Sequence, residues 1–200
     1  MGDVANYSNP MSARGELWLI RHGETEWTLS GAHTSRTDLP LTDHGRRCAE
    51  ALRHFLEGRQ FALVLSSPMR RAIETARLAG FTPEITADLC EWDYGRYEGL
   101  TTPETQKDAP DWTIWTGATP GGETIEQVSA RAERVIELAS SAEGDVAVFG
   151  HGHMLRLLGA RWLGLKPQDG RLFALSTSSV SVLGYERETR VFKSWNQTVG

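Results

Sequence analysis

Cysteine is scarce: Cys48 and Cys90 are the 2 thiols in 200 residues. A chain of this length buries well over half of its unfolded surface and needs no covalent staple. Two thiols therefore exclude a disulfide framework and fit a reducing compartment, each cysteine being expected as a small buried hydrophobe. Long apolar runs are also missing. Nothing approaches the roughly 20 residues of a membrane span, and the opening MGDVANYSNPMSARG has neither the basic start nor the apolar stretch of a secretory signal. The expectation is a cytoplasmic chain with residues 1–14 as a flexible tail, no membrane partner, and one domain over 15–200.

A cationic excess is missing too. Lys+Arg total 21 against 26 Asp+Glu, a net charge of -5, and the arginines are scattered, so a nucleic-acid footprint is excluded. No His/Cys/carboxylate set stands at metal-ligand spacing apart from the pair His151-x-His153, so no metal or cofactor is expected. Internal repeats and low-complexity segments are absent.

What is present is an alternation. Apolar runs at 16–20 (ELWLI), 61–66 (FALVLS), 145–149 (DVAVF) and 179–185 (SVSVLGY) are separated by helical patterns, which predicts an α/β, three-layer sandwich whose mostly parallel sheet is covered by helices on both faces. After Thr42 as N-cap, Cys48, Leu52, Phe55 and Leu56 share a helical face that Gly58 ends. Ser67-Pro68 reads as a cap plus first-turn proline opening a helix to about Leu78. Thr124 and Gln127 form a capping box before a helix with Ile125, Val128, Ala132, Val135, Ile136 and Ala139 inward, ended by Gly144. A last helix runs from near Gly152 to Trp162. Between them, 91–122 is irregular and rich in aromatics (Trp92, Tyr94, Tyr97, Trp112, Trp115), the mark of a functional insertion.

Three strand ends carry chemistry. The first strand gives way to Arg21-His22-Gly23, the second to Ser66-Ser67-Pro68 followed by Arg70 and Arg71, and a later one to Gly150-His151-Gly152-His153. Ligands in an open α/β sheet bind outside the carboxyl ends of the strands, so these histidines and arginines are expected to converge there. Two arginines in a helix's first turn oppose the macrodipole, an objection that an anionic ligand removes.

Taken together, LIRHGETEW (19–27), TDLPLTDHG (37–45), LSSPMRRAIETA (65–76), CEWDYGRYEGL (90–100), GGET (121–124) and VFGHGHMLR (148–156) resemble the histidine phosphatase superfamily, the group that contains the phosphoglycerate mutases. The match runs in the family's order from about residue 16 to 185. It implies a phosphoglycerate mutase-like fold and a metal-independent phosphomonoesterase. His22 would be the nucleophile, and Arg21, Arg71 (rather than Arg70), His151 and the Gly152 backbone would hold the phosphoryl oxygens. Glu91 would be the proton donor and then the base for water. A carboxyl donates only when protonated, so Glu91 needs a setting that favours its acid form, as burial beside a phosphate anion does, and activity is expected on the acid side of neutrality.

Thr28 and Thr34 are expected to donate to phosphate. Thr28 stands where many relatives carry asparagine and Ser35 where they carry glycine, departures that leave dephosphorylation intact but tell against a mutase pocket. The chain resembles most the branch of mycobacterial-type acid phosphatases and the fungal sedoheptulose-bisphosphatase. His33, Ser35, Tyr94, His153 and Arg156 are candidates for the remainder of a small phosphorylated metabolite, a sugar phosphate or free phosphate among the ligands. Mutase-type transfer and a non-catalytic phospho-ligand module remain the alternatives, and the oligomeric state is open between monomer and homodimer.

Overall fold

The computed structural model describes residues 14–198; the tail expected over 1–14 lies, except for Arg14, outside them. The elements in chain order are β1 (Leu17–Arg21), α1 (Glu26–Ser30), α2 (Asp43–Phe55), β2 (Leu63–Ser66), α3 (Arg70–Leu78), β3 (Glu84–Ile85), α4 (Thr102–Asp108), α5 (Ile125–Ser141), β4 (Val146–Gly150), α6 (Gly152–Trp162), β5 (Ser179–Glu186) and β6 (Thr189–Thr198). One sheet has the order β3-β2-β4-β1-β5-β6. β3, β2, β4 and β1 pair in parallel, and β5 and β6 close one side antiparallel.

The period of two in the strands sorts the core into two layers. Trp18, Ile20, Ala147 and Phe149 face Leu52 and Leu56 from the α2 segment and Ala76 and Ala79 from the α3 segment. Leu17, Leu19, Val146 and Val148 face Val128, Val135, Leu155 and Leu158 from α5 and α6. Each fully buried leucine contributes about 2 kcal/mol by leaving water. This is the three-layer α/β arrangement expected.

Several expectations are corrected. Phe55 is 39% exposed, because the buried ladder of α2 runs through Gly45, Ala49 and Leu52 and Phe55 lies on its flank. Cys48 and Cys90 are unpaired but half-buried rather than core residues. The helix expected from Ser67-Pro68 starts at Arg70, with Met69 as a cap that makes no side-chain hydrogen bond. β6 carried no strand signal: it is a half-exposed edge, joined to β5 by a turn at Arg187 (φ 55°) that lacks the Asn-Gly or Asp-Gly of a readable hairpin. The insertion at 91–122 holds the short α4 and packs Trp92, Tyr94, Trp112, Ile114 and Trp115 into the α5/α6 layer of the core. Trp112 and Trp115 serve there as packing. A Cβ on Gly95 (φ +55°) would lie 2.3 Å from the Pro120 carbonyl, so the insertion closes on itself where only glycine fits.

Candidate functional site

Register builds the centre. Parallel pairing sets Arg21 opposite Gly150 and Ser66 opposite Phe149, so residues 22, 151 and 67 leave three adjacent strand ends at one level. The His22 amide donates to the Gly150 carbonyl at 3.0 Å and the Ser67 amide to the Phe149 carbonyl at 3.0 Å. The rings of His22 and His151 meet edge to face with centroids 5.0 Å apart.

Each imidazole makes one hydrogen bond, and for His22 that bond fixes the tautomer. His22 Nδ1 lies 2.7 Å from the Gly23 carbonyl, and a carbonyl only accepts, so Nδ1 carries the proton and Nε2 keeps a lone pair. Burial, then the charges of Arg71 and Arg21, hold the His22 ring well below the usual imidazole value against the opposing pull of that carbonyl. The ring is thus neutral and nucleophilic at pH 7. His151 Nε2 lies 2.8 Å from the Ser67 hydroxyl, whose oxygen already accepts from the Met69 amide at 3.3 Å. Either group can donate in this bond; with Ser67 as the donor, the His151 proton stands on Nδ1, the nitrogen left without a partner. Burial, then Arg71 and His22, keep this ring neutral as well.

Arg71 is fully buried and is anchored by carbonyls alone: Nη1 donates to Thr37 at 3.0 Å, and Nη2 to Thr34 at 3.2 Å and Ser35 at 3.3 Å. Arg21 donates through Nη1 to the Leu175 carbonyl at 2.5 Å and lies against Gly152, where a Cβ would sit 3.3 Å from its Cζ. Neither Arg21 nor Arg71 is within salt-bridge distance of a carboxylate among the described residues. Arg70, by contrast, points outward to Glu74 at 3.8 Å.

Three buried nitrogens beside His22 have no partner: Arg21 Nε, Arg71 Nε and His151 Nδ1. A buried donor left unpaired costs about 1–3 kcal/mol. Donors of one sign around a neutral imidazole with a free lone pair describe a receptacle for a small oxyanion.

Glu91 is 6% exposed and caps a helix that it does not belong to. α6 has no side-chain cap of its own; instead Glu91 Oε2 accepts from the His153 amide at 3.0 Å and Oε1 from the Met154 amide at 2.9 Å, with the Trp92 amide also at 2.9 Å from Oε1. Three amide donors hold both carboxyl oxygens in place.

The remaining candidates divide. Thr28, Thr34, His33, Tyr94, Gly152, His153 and Arg156 line a cavity of about 300 Å³ with Arg21, His22 and Glu91. The Tyr94 hydroxyl lies 2.7 Å from His153 Nδ1, and the His33 ring stacks on Tyr94 at 4.7 Å. Burial, then Arg156 and His33, hold His153 well below the usual imidazole value. Arg156 donates to the Gly170 and Arg171 carbonyls, each at 3.2 Å, and covers the Trp115 ring at 4.8 Å.

Ser35 does not line this cavity: its hydroxyl donates to Glu98 Oε2 at 2.5 Å, and its work is to fix the loop whose carbonyls hold Arg71. The hydroxyls expected to bind phosphate are likewise committed, Thr28 donating to the Thr25 carbonyl at 2.8 Å and Thr34 to the Ala32 carbonyl at 3.1 Å. Polar side chains at turns satisfy their own backbone first. His151 and His153 take different partners, and no group of three or more possible metal ligands occurs among the described residues. Sequence reasoning missed Ser67 and Glu98, since a serine before a proline reads as a helix cap and a glutamate in a turn reads as surface.

Ser67→Ala removes the hydrogen bond that holds the His151 ring. The inhibition constant for inorganic phosphate is expected to rise about tenfold; an unchanged constant in the folded variant would show that Ser67 has no part in anion binding.

Residues 17–198 match the profile of the histidine phosphatase superfamily, branch 1. The chain is 43% identical over 179 residues to an acid phosphatase of Mycobacterium tuberculosis, covering 87% of this chain and 88% of that protein. It is 35% identical over 185 residues to the sedoheptulose 1,7-bisphosphatase of Saccharomyces cerevisiae, covering 75% and 68%. Among solved structures, an open reading frame product of Mycobacterium tuberculosis superposes with a TM-score of 0.88 at 40% identity, over 93% of this chain and 99% of that one. A mycobacterial glucosyl-3-phosphoglycerate phosphatase solved with VO3 gives 0.81 at 28% identity, over 92% and 100%. Strand-end histidines, carbonyl-anchored arginines and these likenesses converge: the chain belongs to branch 1 of the histidine phosphatase superfamily.

Proposed function

We propose that this phosphatase hydrolyses small phosphate monoesters, sugar phosphates among them, by transferring the phosphoryl group to His22 and then to water. The observation that carries the reading is the set of unpartnered nitrogens, Arg21 Nε, Arg71 Nε and His151 Nδ1, around a ring whose Nε2 is free to attack.

In the first step His22 Nε2 bonds to phosphorus and the ester P–O bond breaks. The leaving oxygen takes the Glu91 proton, while Arg21, Arg71 and His151 hold the three equatorial oxygens, where charge accumulates. The Gly23 carbonyl steadies the positive ring that results. In the second step a water oxygen bonds to phosphorus and the P–N bond breaks. Glu91 takes the water's proton, and His22 returns to its neutral form.

Beyond the phosphoryl site the cavity offers Tyr94, His33, His153 and Thr102, neutral groups suited to a polyhydroxylated leaving group. The names borne by the relatives, an acid phosphatase, a sedoheptulose 1,7-bisphosphatase and a glucosyl-3-phosphoglycerate phosphatase, suit that reading. So does a cytoplasmic setting, in which the unpaired cysteines stay reduced. The test is a panel of sugar monophosphates, sugar bisphosphates and phosphoglycerates, read for free phosphate and for positional transfer together. Release of phosphate from at least one sugar ester is expected; transfer between positions without release would overturn the reading in favour of a mutase.

A further inference from the structure

Glu91 stands on a loop between two 3-10 turns, Ala87–Leu89 and Gly95–Tyr97, yet an acid must hold its proton within hydrogen-bond reach of the leaving oxygen. The α6 amides hold its carboxyl group, and something else outside the loop has to fix the backbone that carries it. Arg131, on α5 and 11% exposed in its side chain, reaches across and forks over the loop's carbonyls. Nη1 donates to Asp88 and Cys90, each at 2.9 Å, and Nη2 lies 3.4 Å from the Glu91 carbonyl.

The same guanidinium grips Glu123, of the GGET stretch, with Nε at 2.9 Å from Oε1 and Nη2 at 2.7 Å from Oε2. Glu123 passes the hold to the other side of the acid. Its Oε2 accepts from the Asp93 amide at 3.0 Å, its own amide donates to the Asp93 carbonyl at 3.0 Å, and its carbonyl takes the Trp92 indole N–H at 2.9 Å. The backbone from 88 to 93 is thus held on both flanks of Glu91 by two side chains that do not line the catalytic cavity.

We propose that Arg131, acting with Glu123, is the positioning residue for Glu91, an inference that rests on the reading of Glu91 as proton donor. Only a planar fork spans three carbonyls and a carboxylate together, so lysine is not equivalent. A misplaced acid is felt in proportion to how much the leaving oxygen needs a proton. An alkoxide needs it; p-nitrophenolate hardly does.

The experiment compares Arg131→Gln, Arg131→Lys, Glu123→Gln and Glu91→Gln on glycerol phosphate and p-nitrophenyl phosphate, read as kcat/KM together with the inhibition constant for inorganic phosphate. Arg131→Gln is expected to lose on the order of 10²-fold in kcat/KM on glycerol phosphate and less than about threefold on p-nitrophenyl phosphate, because kcat/KM ends at departure of the leaving group and excludes the phosphohistidine hydrolysis that both substrates share. The inhibition constant for inorganic phosphate should be little changed, with Glu123→Gln following in the same direction. If Glu91→Gln shows that selectivity and folded Arg131 variants lose kcat/KM on both substrates alike or lose phosphate affinity instead, the positioning role is overturned. If Glu91→Gln itself loses both alike, the proton-donor reading falls first and the inference falls with it. Should the glutamine variant fail to fold, Arg131→Lys, which keeps the charge but not the fork, carries the same comparison.

Discussion

Replacing His22 by alanine is expected to lower phosphate release from p-nitrophenyl phosphate by on the order of 10³-fold or more. In the proposed mechanism the imidazole supplies the bond that splits hydrolysis into two steps, while everything proposed to bind the oxyanion stays in place. Arg71 keeps its three carbonyl anchors and Arg21 its bond to Leu175, so affinity for inorganic phosphate should survive within a few fold. Two readouts separate the nucleophile from a mere ligand. Wild type quenched in alkali after brief exposure to radiolabelled substrate should carry label on protein, lost on acidification as a phosphoramidate is; the alanine variant should carry none. Equal turnover by both proteins would show that another group attacks phosphorus.

The second large effect concerns stability in acid. His22, His151 and His153 are each held well below the usual imidazole value of about 6.5, with burial as the foremost cause in all three. Above that value the rings are neutral in the folded and unfolded chains alike and contribute no pH dependence. As the pH falls below it, the unfolded chain takes up protons that the native fold refuses, so stability is lost from there downward. Each refused proton is worth about 1.4 kcal/mol per pH unit, and three give a slope of about 4 kcal/mol per pH unit. Against a total stability of about 5–15 kcal/mol, unfolding should follow within a few pH units. Urea titrations read by tryptophan fluorescence at about pH 7.5, 6.5, 5.5 and 4.5 measure it. A midpoint constant over that range would mean that the rings take protons in the native state. His153→Asn should reduce the slope by about one proton's worth.

The convergence of these side chains at the strand ends was legible because the strands were. An apolar run that stops at Arg21-His22, another that stops before Arg71 and a third that stops at His151 lie on adjacent parallel strands, and parallel register does the rest. Residues whose partners are backbone atoms were not legible. Arg131 acts on carbonyls some 40 positions away, and carbonyls have no letter in the sequence. Ser35, Thr28 and Thr34 show the converse: their residue type suits phosphate, but a neighbouring carboxylate or carbonyl claims each hydroxyl first. Phe55 and β6 were misread because amphipathic periodicity reports a face and not its margin, and an edge strand needs only one neighbour.

Two guanidinium groups inside the fold, Arg21 and Arg71, are hydrogen-bonded by carbonyls alone, and no carboxylate among the described residues comes within salt-bridge distance of either. Self-repulsion of that kind is relieved by whatever oxyanion the catalytic cycle leaves behind, and a ligand that binds only the native state stabilises it in proportion to its concentration. On the proposed function the product is then also the protein's protector: a medium rich in orthophosphate is expected to preserve the chain against heat and acid while holding it idle, and removal of that ion to give the fastest turnover at the lowest robustness.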